Sequence, residues 1–218
     1  MRKSKAETAK TRQRIVEVAS EAIRSRGIEA TGVAEIMAAA GLSHGGFYRH
    51  FDSKEQLVTE AIALSRRDYF AQTLTAAEQG PEALMKHLQE YVASAHRDDI
   101  GSGCPLAANG SELVRSDSTT RHNATEALRV WFEKTAPYMR SQDDQGKTDL
   151  AISVVTNMIG ALTMSRMVDD PVLSDQILES TSRRIANAFG LSSSKRQPGS
   201  ARRALKPQRK RARSPIQK

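Results

Sequence analysis

The chain carries a single cysteine, Cys104, in 218 residues. No disulfide can form within it, which fits a reducing compartment. No run of about 18 uninterrupted apolar residues occurs, so no membrane span is expected. Met1-Arg2-Lys3-Ser4-Lys5 has no apolar stretch behind it, so no signal peptide is expected. No segment alternates apolar and polar residues long enough to suggest a sheet. A phosphate loop, a nucleophile elbow and a zinc spacing of His and Cys are all missing, so nothing points to an enzyme, a metal or a cofactor. There is no internal repeat. What remains is an all-α, cytoplasmic binding protein.

Charge is unevenly placed. Residues 1–51 hold 9 Lys/Arg against 5 Asp/Glu, residues 52–194 hold 14 against 20, and residues 195–218 hold 10 against none. The two ends are basic and the middle is acidic. Basic patches favour a polyanion partner. After Gly190 the chain also contains Ser192-Ser193-Ser194 and three prolines. This segment cannot bury enough apolar surface to fold alone, so 191–218 reads as a disordered basic tail.

Between those ends, apolar residues recur at helical spacing and Gly and Pro punctuate them. Helices are expected at Thr8–Arg26, Val33–Ala40, His44–His50, Lys54–Gln79, Glu82–His96, Leu106–Ser116, Thr119–Arg140, Thr148–Met167 and Val172–Phe189. Gly27 stands where a C-cap belongs. Thr31 is placed to cap the second helix and Ser43 the third; Asp52 or Ser53 caps the fourth, with Gln56 completing a capping box if Ser53 is the cap. Gly101–Gly103 and Asp143–Gly146 read as loops.

The segment Thr31 to Leu57 carries the functional signal. Two short helices joined through Gly41-Leu42-Ser43 follow one longer helix and precede another. This is the helix-turn-helix order, in which the second short helix enters the major groove of DNA. Ile36, Met37, Leu42, Phe47, Phe51 and Leu57 are spaced to support it, leaving His44, Tyr48 and Arg49 facing outward.

Residues 30–62, ATGVAEIMAAAGLSHGGFYRHFDSKEQLVTEAI, resemble the DNA-binding domain of the TetR family. The resemblance rests on Thr31, Gly41-Leu42-Ser43, Phe47-Tyr48-x-His50-Phe51 and Ser53-Lys54-x-x-Leu57. It implies a three-helix DNA-binding domain at 1–57 and a helical ligand-binding and dimerisation domain at 58–190. By that resemblance His44, Gly45 and Gly46 face base edges, and Tyr48, His50 and Lys54 contact phosphates; Thr31, Ser43 and Arg49 complete the set. Gly45-Gly46 departs from the commoner pattern. Either the backbone comes very close to the groove, or the helix starts after Gly46.

The same resemblance implies a homodimer formed through the last two helices. It also implies a small-molecule effector in the middle domain, with Tyr69, Phe70, His87, Tyr91, Cys104, Trp131, Phe132, Met158 and Met164 as pocket candidates; each also reads as plain core. Cys104 follows Gly101-Ser102-Gly103 at an expected helix start, where a thiol pKa is lowered, with His96 and Arg97 near in sequence. That makes an electrophile or redox sensor one alternative. A charge-driven, nucleoid-associated DNA binder is another, and a thiol enzyme a third. The leading reading is a repressor that binds a palindromic double-stranded operator and is released by its effector.

Overall fold

The first helix begins at a capping box. The Glu7 N–H donates to the Ser4 hydroxyl at 3.1 Å, and the Ser4 N–H donates to the Glu7 carboxylate at 2.7 Å. Helix α1 therefore runs Lys5–Arg26, a turn earlier than expected. The computed structural model describes residues 4–191, apart from the side chains of Arg66, Asp68 and Tyr69. Residues 192–218 of the expected 191–218 tail, and the side chain of the pocket candidate Tyr69, thus lie outside what the structure describes.

Helix α1 buries Ile15, Ala19 and Ile23, one turn apart along one stripe. Against it fold α2 (Val33–Ala39), a 3₁₀ segment (His44–Arg49) and α3 (Lys54–Glu78). Their shared core includes Ile36, Met37, Phe47, Phe51, Leu57 and Ala61, with the Phe47 and Phe51 rings stacked 5.6 Å apart. The chain continues through α4 (Pro81–Tyr91), α5 (Ser94–Asp98), α6 (Pro105–Leu113), α7 (Ser118–Thr135), α8 (Asp144–Met167) and α9 (Pro171–Phe189). Leu84, Leu88, Tyr91, Trp131, Met158, Leu162 and Ile185 lead a second core. Helix α6 joins the two: Leu113 belongs to the first core, Ala107 to the second, and Leu106 packs on both. Among the described residues there is no strand.

Several expected boundaries move, each for a local reason. The helix expected at Glu82–His96 breaks after Tyr91, where the chain turns and His96 folds back so that its Nδ1 meets the Tyr91 carbonyl at 2.8 Å. The helix expected to reach Arg140 stops at Thr135, because Pro137 has no N–H to donate; a 3₁₀ turn, Ala136–Tyr138, carries the chain past it. Asp143–Gly146 is a cap and first turn rather than a loop. The Gly146 N–H donates to Asp143 Oδ1 at 2.6 Å, so α8 starts at Asp144. Helix α8 is long and apolar enough to cross a membrane by composition, with a mean hydropathy of 1.3 over its most apolar window. One face of it, including Val155, Met158 and Leu162, is buried in the second core.

Gly27 ends α1 with φ +92° and ψ 163°, a conformation essentially confined to glycine. A Cβ there would also lie 3.0 Å from Glu112 Oε1. Gly27→Ala is therefore expected to cost about 1–3 kcal/mol in urea denaturation. Gly32→Ala is the control, since Gly32 has φ −85° and no atom within 4 Å of an added Cβ. Equal losses in the two variants would contradict this account of Gly27.

Candidate nucleic-acid interface

Neither short helix can persist unaided, since isolated helices of this length are unstable in water. Two arginines of α1 hold their ends. Arg14 Nη2 donates to the carbonyl of Ala40, which closes α2. Arg12 Nε donates to the carbonyl of His50 at 3.1 Å, which closes the 3₁₀ segment. Arg12 also grips Glu60 of α3 with both terminal nitrogens and lies 4.4 Å over the Phe51 ring. The hydrogen bonds to Glu60 are the main cause raising its pKa. Cations at helix C-termini are favourable because the last carbonyls lack helical partners.

The expected caps resolve differently. Thr31 is not the cap of α2, whose N-cap is Gly32 without a side-chain bond. The Thr31 side chain is fully buried and donates to the Gly27 carbonyl at 2.6 Å, pinning the α1–α2 turn. Ser43 precedes the 3₁₀ segment but makes no side-chain cap bond; its carbonyl accepts from the Gly46 N–H at 3.0 Å. Ser53 does cap α3, accepting from the Gln56 N–H at 3.2 Å, while the Gln56 side chain accepts from Asp52 rather than from Ser53.

His44, Gly45, Tyr48 and Arg49 form an exposed face, with Tyr48 73% exposed. Beneath it Phe47 is buried and meets the Tyr48 ring edge-on at 5.2 Å. Gly46, His50 and Lys54 are half-buried at its margin. The segment is 3₁₀ rather than α-helix and begins at His44, so it does not start after Gly46. A Cβ on Gly45 would meet nothing within 4 Å, and one on Gly46 would make only ordinary contacts, 3.6 Å to Met37 and 3.9 Å to Ser43. Neither glycine has a positive φ. Nothing among the described residues requires glycine at either position.

This unit is tied to the rest of the molecule by Glu112 of α6. Its carboxylate accepts from the backbone N–H of Ile28 at 2.9 Å and of Glu29 at 3.3 Å, both in the α1–α2 turn, and from Asn109 at 3.1 Å. Asn109 in turn donates to the Ile23 carbonyl at 3.0 Å. These bonds hold the Glu112 carboxyl below its usual range against the opposing effect of burial, the largest single influence on it.

A family model described as bacterial regulatory proteins, tetR family, matches residues 15–61. The chain is similar to the HTH-type transcriptional repressor DhaR of Mycobacterium sp. (strain GP1), 28% identical over 129 residues, which cover 59% of this chain and 64% of that protein. The chain thus spans just under two thirds of that relative's length. Among solved structures it is similar to a TetR-family transcriptional regulator from Cytophaga hutchinsonii, with a TM-score of 0.68 at 22% identity over 85% of this chain and 98% of that one. It is also similar to AibR, solved in complex with isovaleryl coenzyme A and operator DNA, with a TM-score of 0.58 at 18% identity over 82% and 98%. Residues 15–61 thus match the TetR family, and the chain shares the fold of these TetR-family structures.

The pocket candidates do not share one fate. Tyr91, Trp131 and Met158 are buried in the second core, with Phe70 and Phe132 packed against it. Trp131 meets Phe70 and Tyr91 edge-on at 5.8 and 5.6 Å. A void of only about 10 Å³ lies beside Phe70 and Cys104, whereas His87 and Tyr91 line a larger cleft of about 560 Å³. Met164 is 55% exposed on α8 and faces away from this core. His87 is half-buried, its Nε2 3.0 Å from the Thr73 hydroxyl.

Cys104 also departs from expectation. It does stand at the N-cap of α6, yet it is buried, and burial pushes its thiol above the ordinary value. Loss of solvation outweighs the helix terminus, so the residue behaves as a small core group rather than a poised thiolate. His96 serves a structural end: its Nε2 accepts from the Cys104 N–H at 3.0 Å while Nδ1 donates to Tyr91. That pair of bonds fits only the neutral ring. Sequence inspection had missed this role, together with those of Arg12, Arg14 and Glu112, because each partner is distant in sequence or bound through backbone.

Burial is the main cause holding the His96 pKa below its ordinary 6.5, and Arg166 adds to it against the Tyr91 carbonyl. His87 is lowered as well, again by burial. A histidine depressed in the folded state stabilises the fold above its unfolded pKa, and that contribution is lost as pH falls through the folded value. Thermal melts should therefore show stability falling as pH drops below about 6.5, with a smaller fall in the His87→Gln, His96→Gln double variant. An identical fall in both chains would remove these two histidines as the cause.

Proposed function

We propose that the protein is a transcriptional repressor that binds a palindromic operator as a homodimer and is released by a small-molecule effector. The observation that carries this is the exposed face His44–Arg49, where two adjacent glycines have no cause inside the chain. Their absent side chains let the backbone approach base edges. His44 and Arg49 offer donors there, while Tyr48, His50 and Lys54 reach phosphates. Lys54 opens α3, so its charge adds to that of a helix N-terminus. Ser43 is exposed at the start of the recognition segment, and Thr31 acts indirectly by holding the turn.

On this reading 1–57 is the DNA-binding unit, 58–190 receives the effector and the second protomer, and the tail from 191 adds sequence-independent affinity. The site of action is the cytoplasm, on chromosomal DNA. Dimerisation is supported by the apolar residues left exposed on α8 and α9: Met164, Met167, Val172 and Leu173. A two-fold pair places two recognition segments in successive major grooves about 34–36 Å apart. DhaR is named a repressor and AibR was solved with operator DNA, which agree with this reading.

A nuclease footprint upstream of the protein's own gene, with excess competitor DNA, tests the proposal. A discrete protected palindrome is expected; diffuse protection lost to competitor would favour the charge-driven alternative. Two sets of variants sharpen it. Gly45→Ala should leave stability unchanged or raised by about 0.5–1 kcal/mol. It should nevertheless weaken operator binding by roughly tenfold. Lys54→Ala should weaken binding to all sequences alike and reduce the salt slope by about 1. Unaltered operator affinity in Gly45→Ala would remove close backbone approach from the account.

The second set concerns assembly. Met164→Glu with Val172→Glu should convert the dimer to a monomer in light scattering, since like charges would meet across the two-fold interface. A dimer that survives both substitutions places the interface elsewhere.

A further inference from the structure

A cleft of about 560 Å³ borders the aromatic core at Tyr91. One wall is α1, the helix that holds the recognition segment; the others come from α3, α4 and the turn before α6. Its volume falls within the range of small-molecule sites. Among the described side chains its lining is unevenly charged, with three carboxylates, Glu17, Glu21 and Glu90, against one guanidinium, Arg24.

The two sides of the cleft differ in what they leave available. Arg24 commits its N–H groups to the wall, with Nε donating to the Gly101 carbonyl at 2.5 Å and Nη1 to the hydroxyls of Ser20 and Ser65. Burial keeps His87 and His96 in the neutral form at neutral pH. The carboxylates instead stand exposed at the rim. Glu17 and Glu21 are one helical turn apart on α1, and so about 5–6 Å from each other. Glu90 lines the same cleft from α4 and pairs with Lys86 of that helix at 3.8 Å. A cleft with carboxylates on both rims concentrates cations, and an amine with two or more charged nitrogens can span it.

We infer that this cleft is a binding site for a small organic polycation of the polyamine class, bridging α1 to α4. The binding itself is independent of the operator-binding reading; only its consequence for DNA affinity rests on that reading. A ligand joining α1 to α4 would bias the placement of the recognition segment through Arg12 and Arg14.

The test uses the full-length protein without DNA, so its outcome does not depend on whether an operator exists. Spermidine is titrated by calorimetry and by the fluorescence of Trp131, the sole tryptophan, which meets the cleft residue Tyr91 edge-on at 5.6 Å. Saturable binding of one spermidine per chain is expected, weakening as salt rises. Glu21→Gln with Glu90→Gln should weaken it by roughly tenfold or more. Asp144→Asn with Asp149→Asn, on the exposed start of α8, should not change it. The neutral chain 1,8-octanediol should not compete. Absence of saturable binding, equal binding by both double variants, or equal binding of the diol would each overturn the inference.

Discussion

A recognition segment six residues long cannot hold its own shape, and the structure around it is arranged to supply that shape. Phe47 anchors it from beneath, fully within the first core. Arg12 closes its far end and at the same time binds α3 through Glu60. Arg14 does the equivalent for α2. Because both arginines lie on α1, two positions apart, the two short helices keep their mutual angle only while α1 is in place. The orientation of the exposed His44–Arg49 face is thus a property of α1 rather than of the residues that form it.

Anything that moves α1 or the turn after it therefore moves that surface. Helix α6 is the element best placed to do so. At its C-terminal end Glu112 accepts from two backbone amides of the α1–α2 turn, charge-assisted bonds stronger than neutral ones. At its N-terminal end the Cys104 amide is held by His96, which also closes α4. Arg166 of α8 extends the chain of contacts by donating to the carbonyls of His96 and Arg97 at 2.7 and 3.0 Å. A ligand acting in the second core would act through this route. It can shift the equilibrium only by the difference in its affinity for the two arrangements.

Legibility in the sequence followed the range of the interaction. The helix-turn-helix was visible because its signals are local: Gly41 at a positive φ, the Ser53 cap, and the spacing of Phe47, Phe51 and Leu57. The start of α1 was equally local, yet the Ser4-x-x-Glu7 box was passed over because the apolar stripe begins later, at Ile15. Thr31 misled because a threonine before a helix usually caps it, whereas here its hydroxyl turns inward to Gly27. Met164 and Met158 share helical spacing on α8, and only packing shows that one is buried and the other is not. Cys104 misled in the same way: the helix start was visible, but the loss of solvation that raises its pKa is a tertiary quantity.

The remaining features share one form: they cost the isolated chain stability without return inside it. Two glycines in a helical segment each lose about 0.5–1 kcal/mol against alanine. Here no close neighbour or backbone angle requires them. Met167 and Val172 are 73% and 65% exposed, leaving apolar area in water. Three rim carboxylates share one cleft, where their mutual repulsion is unfavourable. Local rules of helix propensity, burial and charge pairing are broken at these places. Departures of that kind gather where a molecule meets something outside itself. They fall on three separate surfaces, which fits three different contacts: nucleic acid at the recognition segment, a second copy at α8 and α9, and a small cation between α1 and α4.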